Sequence, residues 1–182
     1  MRIIAGKHRS RQLLAPEGHA VRPTTDKMRE RVFSMLMHGR YPALLNANVA
    51  DLFAGTGALG LEALSRGASH VTFVEKSPSS IACLKKNIIS LKEEDQTTLL
   101  QVSARALPEV ANAFDFIFMD PPYHKGLVEP TLHSIMAQKW LDKEGVIVCE
   151  CATDDQIEYP EGLIEIDERR QGQQRVVFLM QG

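Results

Sequence analysis

The feature that most constrains this chain is a pair of short apolar runs that each end in a chemically distinctive loop. The first, residues 49–54, leads into Gly55, Gly57 and Gly60 and then a helical pattern. The second, residues 114–120 (FDFIFMD), leads into Asp120-Pro121-Pro122-Tyr123. A run that is apolar at nearly every position suits a strand covered on both faces, because a half-exposed strand would alternate. Around these two, apolar runs and stretches of helical spacing alternate. Strands are predicted at 49–54, 71–75, 99–102, 114–120 and 145–151, and helices at 59–66, 79–91 and 127–138, with a short one near 104–111. That alternation specifies an α/β fold with a mostly parallel sheet. The last stretch changes character: residues 163–169 and 175–180, joined by Gln171-Gly172-Gln173, read as an antiparallel hairpin.

Ahead of the sheet lie two further pieces. Residues 2–5 and 9–14 flank Gly6-Lys7-His8 and predict a small basic hairpin. Residues 25–37 have helical spacing, with Met28, Val32, Met35 and Leu36 on one side and Lys27, Arg29 and Arg31 around the other, and Thr24 or Thr25 as cap. With no repeats and no low-complexity linker, the 182 residues read as one domain, a basic N-terminal appendage (1–40) on a catalytic core (41–182). The overall charge of −2 conceals an asymmetry: residues 1–40 carry nine basic groups against three acidic ones, a net +6, which leaves −8 on the other 142. A basic arm on an acidic body predicts a polyanion docked at one place, through Lys7, Arg9, Arg11, Arg22, Lys27 and Arg29. No apolar run reaches the roughly 20 residues of a membrane span. The first residues lack the apolar core of a secretory signal, and three cysteines give no disulfide framework. A cytoplasmic protein without membrane contact is expected.

Gly55, Gly57 and Gly60 satisfy the spacing of a dinucleotide loop, in which glycines let the backbone approach a ligand at a helix N-terminus. The same geometry serves the amino-acid end of S-adenosylmethionine. Two acids favour the latter. Asp51, late in the first strand, suits an ammonium and would repel a diphosphate. Glu75, ending the second strand, is placed to bind ribose hydroxyls.

The prolines of Asp120-Pro121-Pro122-Tyr123 stiffen the exit of a buried strand, so that the Asp120 carboxylate and the Pro121 carbonyl can face one cavity. An amino group on a nucleobase is a poor nucleophile because its lone pair is conjugated into the ring. Two acceptors, one per N–H, can aim that lone pair at a methyl donor and stabilise the charge developing on nitrogen. Tyr123 adds an aromatic face for an unstacked base. In an open sheet both motifs would meet at the topological switch point.

These residues resemble the class I S-adenosylmethionine-dependent methyltransferases with a (D/N)PPY motif, and within them the RsmD family of bacterial 16S ribosomal RNA guanine-N2 methyltransferases. The resemblance rests on residues 2–13 (RIIAGKHRSRQL), 22–33 (RPTTDKMRERVF), 51–57 (DLFAGTG), Glu75-Lys76 and 120–123 (DPPY). It implies a Rossmann-like seven-stranded sheet with an antiparallel C-terminal hairpin, with Gly55, Gly57 and Glu75 on the cofactor, Asp120–Tyr123 on the target amine, and ribosomal RNA, within a small-subunit assembly particle, as partner. The resemblance also implies cofactor contacts at Phe53, where amino methyltransferases commonly have Phe, and through the backbone of Ala104, because Ser103-Ala104 stands where many relatives have an acid for the adenine. Neither a metal nor an obligate protein partner is expected. Alternatives remain: an adenine-N6 DNA or glutamine-N5 protein methyltransferase, a nicotinamide-dependent oxidoreductase, or a non-catalytic RNA-binding protein. Cys149, Cys151 and Trp140 read as core, and His124 as a loop histidine without a role.

Overall fold

A computed structural model describes residues 1–15, 26–39 and 41–182. The apolar runs form the strands β1 (Asn48–Leu52), β2 (His70–Val74), β3 (Thr97–Leu100), β4 (Phe114–Met119) and β5 (Leu141–Ala152), all parallel where they pair. The C-terminal hairpin is β6 (Leu163–Gln171) and β7 (Gln174–Gln181), and β7 pairs antiparallel with β5. The sheet order is β3-β2-β1-β4-β5-β7-β6. After β3 the chain returns to the other side of β1, so the switch point lies between β1 and β4, the two strands that end in motifs.

The patterning of β4 explains the layers. Phe116 and Phe118 belong to one apolar cluster, with residues of α1 (Asp26–His38), α2 (Ala58–Ser65) and α3 (Pro78–Leu91). Ile117 and Met119 belong to the other, with Leu132 and Ile135 of α4 (Val128–Ala137) and Trp140. Successive side chains point to opposite faces, and here both faces are dry. Cys149 and Cys151 are buried thiols, and the Trp140 indole N–H donates to the Pro108 carbonyl at 2.8 Å.

Three expectations need correction. Residues 104–111 form a turn rather than a helix. Pro108 cannot donate to a helical ladder and disfavours helix in the residue before it, and the segment is tied down by Leu107 N–H donating to Ser134 Oγ at 3.0 Å. Strand β5 begins at Leu141 rather than Gly145: exposed Asp142, Lys143 and Glu144 bulge against β4, where pairing jumps from Phe114–Leu141 to Phe116–Val146. The N-terminal hairpin is not an outlying arm. It closes through an antiparallel bridge between Arg2 and Gln12, and its Ile3 and Leu13 are buried in the same cluster as Val49 and Phe116. The cap expected at Thr24 or Thr25 lies outside the described residues.

Candidate active site at the sheet switch point

The loop after β1 departs from ordinary backbone at once. Phe53 takes φ +60°, a left-handed conformation that costs a non-glycine residue about 1–2 kcal/mol, and its ring packs against the α4-side core. Gly57, at φ +80°, caps α2, and a Cβ there would lie 2.3 Å from Leu84 Cδ1. A Cβ on Gly60 would meet the Phe73 ring at 2.4 Å. The first of these needs glycine for the turn and the second for close packing of helix on strand. Gly55 differs: a Cβ built on it would find only the Phe53 carbonyl, at 3.8 Å, leaving open space on that side of the loop.

Two carboxylates hold this loop. Asp51 is 2% exposed and accepts the Gly60 N–H at 2.8 Å, which holds the start of α2 against β1. Its pKa is pushed well above the usual carboxylate range, by burial first and then by the negative charges of Asp120 and Glu75, with the Gly60 hydrogen bond opposing. Glu75 accepts the Gly55 N–H at 2.9 Å through one oxygen and the Lys76 and Ser77 N–H groups, each at 2.8 Å, through the other. Its position is therefore fixed before any ligand arrives. Ala104 is 4% exposed.

Asp120 follows β4 directly, Pro121 is buried and Pro122 exposed. The Tyr123 hydroxyl donates to Glu150 Oε1 at 2.5 Å, and Gln174 Nε2 donates to the same oxygen at 3.0 Å. Burial, then the hydrogen bond to Glu150 and its charge, push the Tyr123 phenol well above the usual tyrosine range. Beside Tyr123 opens a cavity of about 220 Å³, lined by Pro121, Leu127 and Val128 on one side and Cys151, Asp155 and Ile157 on the other. His124 Nδ1 lies 3.5 Å from Asp155 Oδ1 at its edge.

The basic residues divide. Arg9 and Lys27 are exposed. Lys7 Nζ lies 2.8 Å from a carboxylate oxygen of the buried Glu93, which also pairs with His8, and Arg11 donates to the Ser90 carbonyl at 2.9 Å. Lys7 and Arg11 thus hold the hairpin against the end of α3. Arg29 does not face outward at all. It is 0% exposed and donates to the Arg2 carbonyl at 2.5 Å and to Asp26 at 2.8 Å, so its expected contact with a polyanion is withdrawn. Its position matches Phe33 and Leu36, four and seven residues on, which are buried on the same face. Arg22 lies outside the described residues.

Residues 1–180 match the family described as Conserved hypothetical protein 95. The chain is 37% identical over 150 residues to ribosomal RNA small subunit methyltransferase D of Escherichia coli strain K12, covering 82% of this chain and 74% of that protein. It belongs to the RsmD family. The Haemophilus influenzae member with the same name is 36% identical over 176 residues, covering 94% of this chain and 89% of its own. The solved structure of yhhF from Escherichia coli superposes with a TM-score of 0.87 at 33% identity, covering 100% of this chain and 97% of that one. The class I methyltransferase fold of this RsmD-family chain is thereby shown, as the sheet order anticipates. No helix among the described residues is long and apolar enough to cross a membrane.

The sequence alone missed the residues that assemble this RsmD-family site. Glu62, 0% exposed, accepts the Ile4 N–H at 2.7 Å, the Ala5 N–H at 3.0 Å and Arg66 Nε at 2.7 Å. Asn87, also fully buried, accepts the Leu14 N–H at 2.8 Å and donates to the carbonyls of Leu14 and Thr56. Glu150 and Gln174 hold Tyr123. The available signal was a polar residue on an otherwise apolar face: Glu62 within LGLEALS, and Glu150 between two buried cysteines.

Proposed function

We propose that this chain transfers a methyl group from S-adenosylmethionine to the exocyclic N2 amine of a guanine in 16S ribosomal RNA, acting in the cytoplasm. One observation carries the reading. The charges of Asp120, after β4, and Glu75, after β2, both raise the cost of ionising Asp51 of β1, an arrangement that favours a bound cation beside them. The residues fit such a donor: the open side of Gly55 leaves room for it, and Glu75 is already oriented by three backbone N–H groups. A diphosphate would meet the same carboxylates as repulsion, which argues against a dinucleotide. The names of the curated relatives support small-subunit ribosomal RNA as substrate, and the Asp-Pro-Pro-Tyr pattern supports an amino nitrogen.

When bound, S-adenosylmethionine supplies a methyl group activated by a positively charged sulfur. This chain's residues do the rest. Asp51 offers its charge to the donor's ammonium, and Glu75 accepts from ribose hydroxyls. Asp120 and the Pro121 carbonyl each accept one N–H of the target amine, which directs its lone pair and stabilises the positive charge that grows on nitrogen. Asp120 then takes the amine proton. The Tyr123 ring supports the unstacked base. Lys7, Arg9, Arg11 and Lys27 contact phosphates and so position the RNA without reading its sequence. Selectivity therefore comes from a folded RNA that presents one guanine unpaired, within a small-subunit assembly particle.

The test is methyl incorporation into an oligonucleotide, naked full-length 16S RNA and a particle lacking the modification, followed by mass mapping of the product. N2-methylguanosine at one position, formed best in the particle, is expected. Methylated adenine, or no incorporation into any of the three, would overturn the reading, while equal rates on all three would overturn the particle preference.

A further inference from the structure

Tyr123 sits on a turn, outside any helix or strand. Its ring is therefore not oriented by regular backbone, and what it touches must set its angle. The hydroxyl reaches Glu150 Oε1 at 2.5 Å. Glu150 lies near the end of β5 in a stretch buried from Gly145 through Ala152, and is itself 6% exposed. An apolar residue there would cost nothing to bury, whereas a carboxylate gives up its hydration. Its neighbour across the strands compensates: β5 and β7 pair with Glu150 opposite Val176 and Ala152 opposite Gln174, and the buried Gln174 donates to Glu150 Oε1 at 3.0 Å. One oxygen thus holds two donors, one from the sheet and one from the motif loop. The sheet is rigid, so this bond transmits its rigidity to the ring.

We propose that Glu150 is a positioning residue for methyl transfer, clamping the Tyr123 hydroxyl from the sheet, with Gln174 holding Glu150 in turn, so that the ring is preset before the base arrives. The inference rests on the methyltransferase reading above and assigns the Tyr123 hydroxyl a job distinct from the stacking of its ring. It predicts that hydroxyl and carboxylate act as one unit.

The experiment compares Tyr123→Phe, Glu150→Leu, which fills the buried space, the conservative Glu150→Gln, and the Tyr123→Phe/Glu150→Leu double variant. Each is measured for turnover on ribosomal RNA, for KM and for S-adenosylmethionine affinity. Loss of one such hydrogen bond predicts a fall in turnover of about tenfold in Tyr123→Phe and in Glu150→Leu, with cofactor affinity unchanged. Glu150→Gln, which keeps an acceptor oxygen, should recover most of the loss. The double variant should be no slower than the slower single one, because both remove the same bond. Additive losses, or wild-type turnover in Glu150→Leu, overturn the proposal, as does a parallel loss of cofactor affinity, which marks a merely structural role. Should Glu150→Leu fail to fold, Gln174→Leu and Tyr123→Phe provide the same pairwise test at the other end of the chain of bonds. Asp120→Ala is the control for the underlying reading. If Asp120→Ala remains active, that reading fails; if it is inactive and the pair is additive, only the role of Glu150 fails.

Discussion

Removing the Glu62 carboxylate should undo the docking of the N-terminal hairpin. Glu62 is fully buried in α2 and accepts three hydrogen bonds, two from the Ile4 and Ala5 backbone and one from Arg66 Nε. In Glu62→Ala the two backbone donors lose their partner. Each orphaned buried donor costs about 1–3 kcal/mol. Arg66 adds less, because it keeps its place over the Phe33 ring at 4.9 Å and its Nη1 contact with Met37 Sδ at 3.3 Å. Breaking a buried pair by deleting one member typically costs about 3–5 kcal/mol, so the two routes agree on about 4 kcal/mol. For a chain of this length that lowers Tm by roughly 8–16 °C. Urea denaturation and calorimetry measure the global loss. Hydrogen exchange at the Ile4, Ala5 and Lys7 amides tells whether the hairpin detaches while the sheet survives, in which case protection vanishes there and RNA affinity falls with cofactor affinity intact. A variant within 1 kcal/mol of wild type that also keeps protection at those amides refutes the reasoning.

Asp120→Ala should abolish methyl transfer while leaving S-adenosylmethionine affinity nearly unchanged by calorimetry; turnover at the wild-type rate would remove the amine-orienting mechanism. Glu75→Gln should weaken cofactor binding about tenfold or more, from the loss of charge-assisted hydrogen bonds worth roughly 1.5–3 kcal/mol, and unchanged affinity in the folded variant would sink the ribose assignment. Charge removal at Lys7, Arg9 and Arg11 should weaken RNA binding and lower the log–log salt slope by about 0.7–0.9 for each lost phosphate contact; because Lys7 and Arg11 also hold the hairpin to α3, Arg9→Ala isolates the effect on RNA. On the proposed function, Asp51 should make cofactor binding pH-dependent. Its folded pKa is raised, so its contribution to stability is present below the ordinary aspartate range and lost as pH rises through the folded value. A cationic ligand favours the ionised form, so S-adenosylmethionine affinity should rise with pH across that window, and Asp51→Asn should flatten the rise.

Element type was legible where a single pattern dominated. Residues 114–120 could only be a doubly covered strand, and Gly55, Gly57 and Gly60 with Asp120–Tyr123 marked both halves of the site. What failed did so through tertiary contacts that have no local signature. Asp142-Lys143-Glu144 precedes the strand expected at 145–151, yet it extends β5 as a bulge because Leu141 pairs with Phe114. Arg29 reads as a surface cation, yet it is covered because it shares a helical face with Phe33 and Leu36. Glu150 reads as one acid in a strand, and only the register of β5 against β7 brings Gln174 beside it. Charge composition likewise revealed that the first 40 residues are basic, but not that several of those charges hold the hairpin in place.

The docked hairpin changes how substrate and cofactor sites relate. Its tip meets the end of α2, where Lys7 N–H donates to the Ser65 carbonyl at 2.8 Å and His8 N–H to Ser65 Oγ at 2.9 Å. Its base meets the glycine loop: Asn87 donates to both the Leu14 and Thr56 carbonyls, and Thr56 Oγ1 lies 3.6 Å from Met1 Sδ. Thr56 stands between Gly55 and Gly57, so the basic hairpin is bonded to the glycine loop that, on the proposed function, would face the methyl donor. A free arm would deliver RNA to the surface and leave the target base to search for Asp120. On the proposed function, a hairpin fastened at both ends would fix the position of the phosphates relative to the switch point, so that part of the entropy of aligning base and donor is spent when the protein folds rather than in each encounter. The acidic cluster that suits a cation would repel a phosphate backbone. On the proposed function the basic hairpin would hold that backbone at a distance, leaving the extruded base as the part of the RNA that enters.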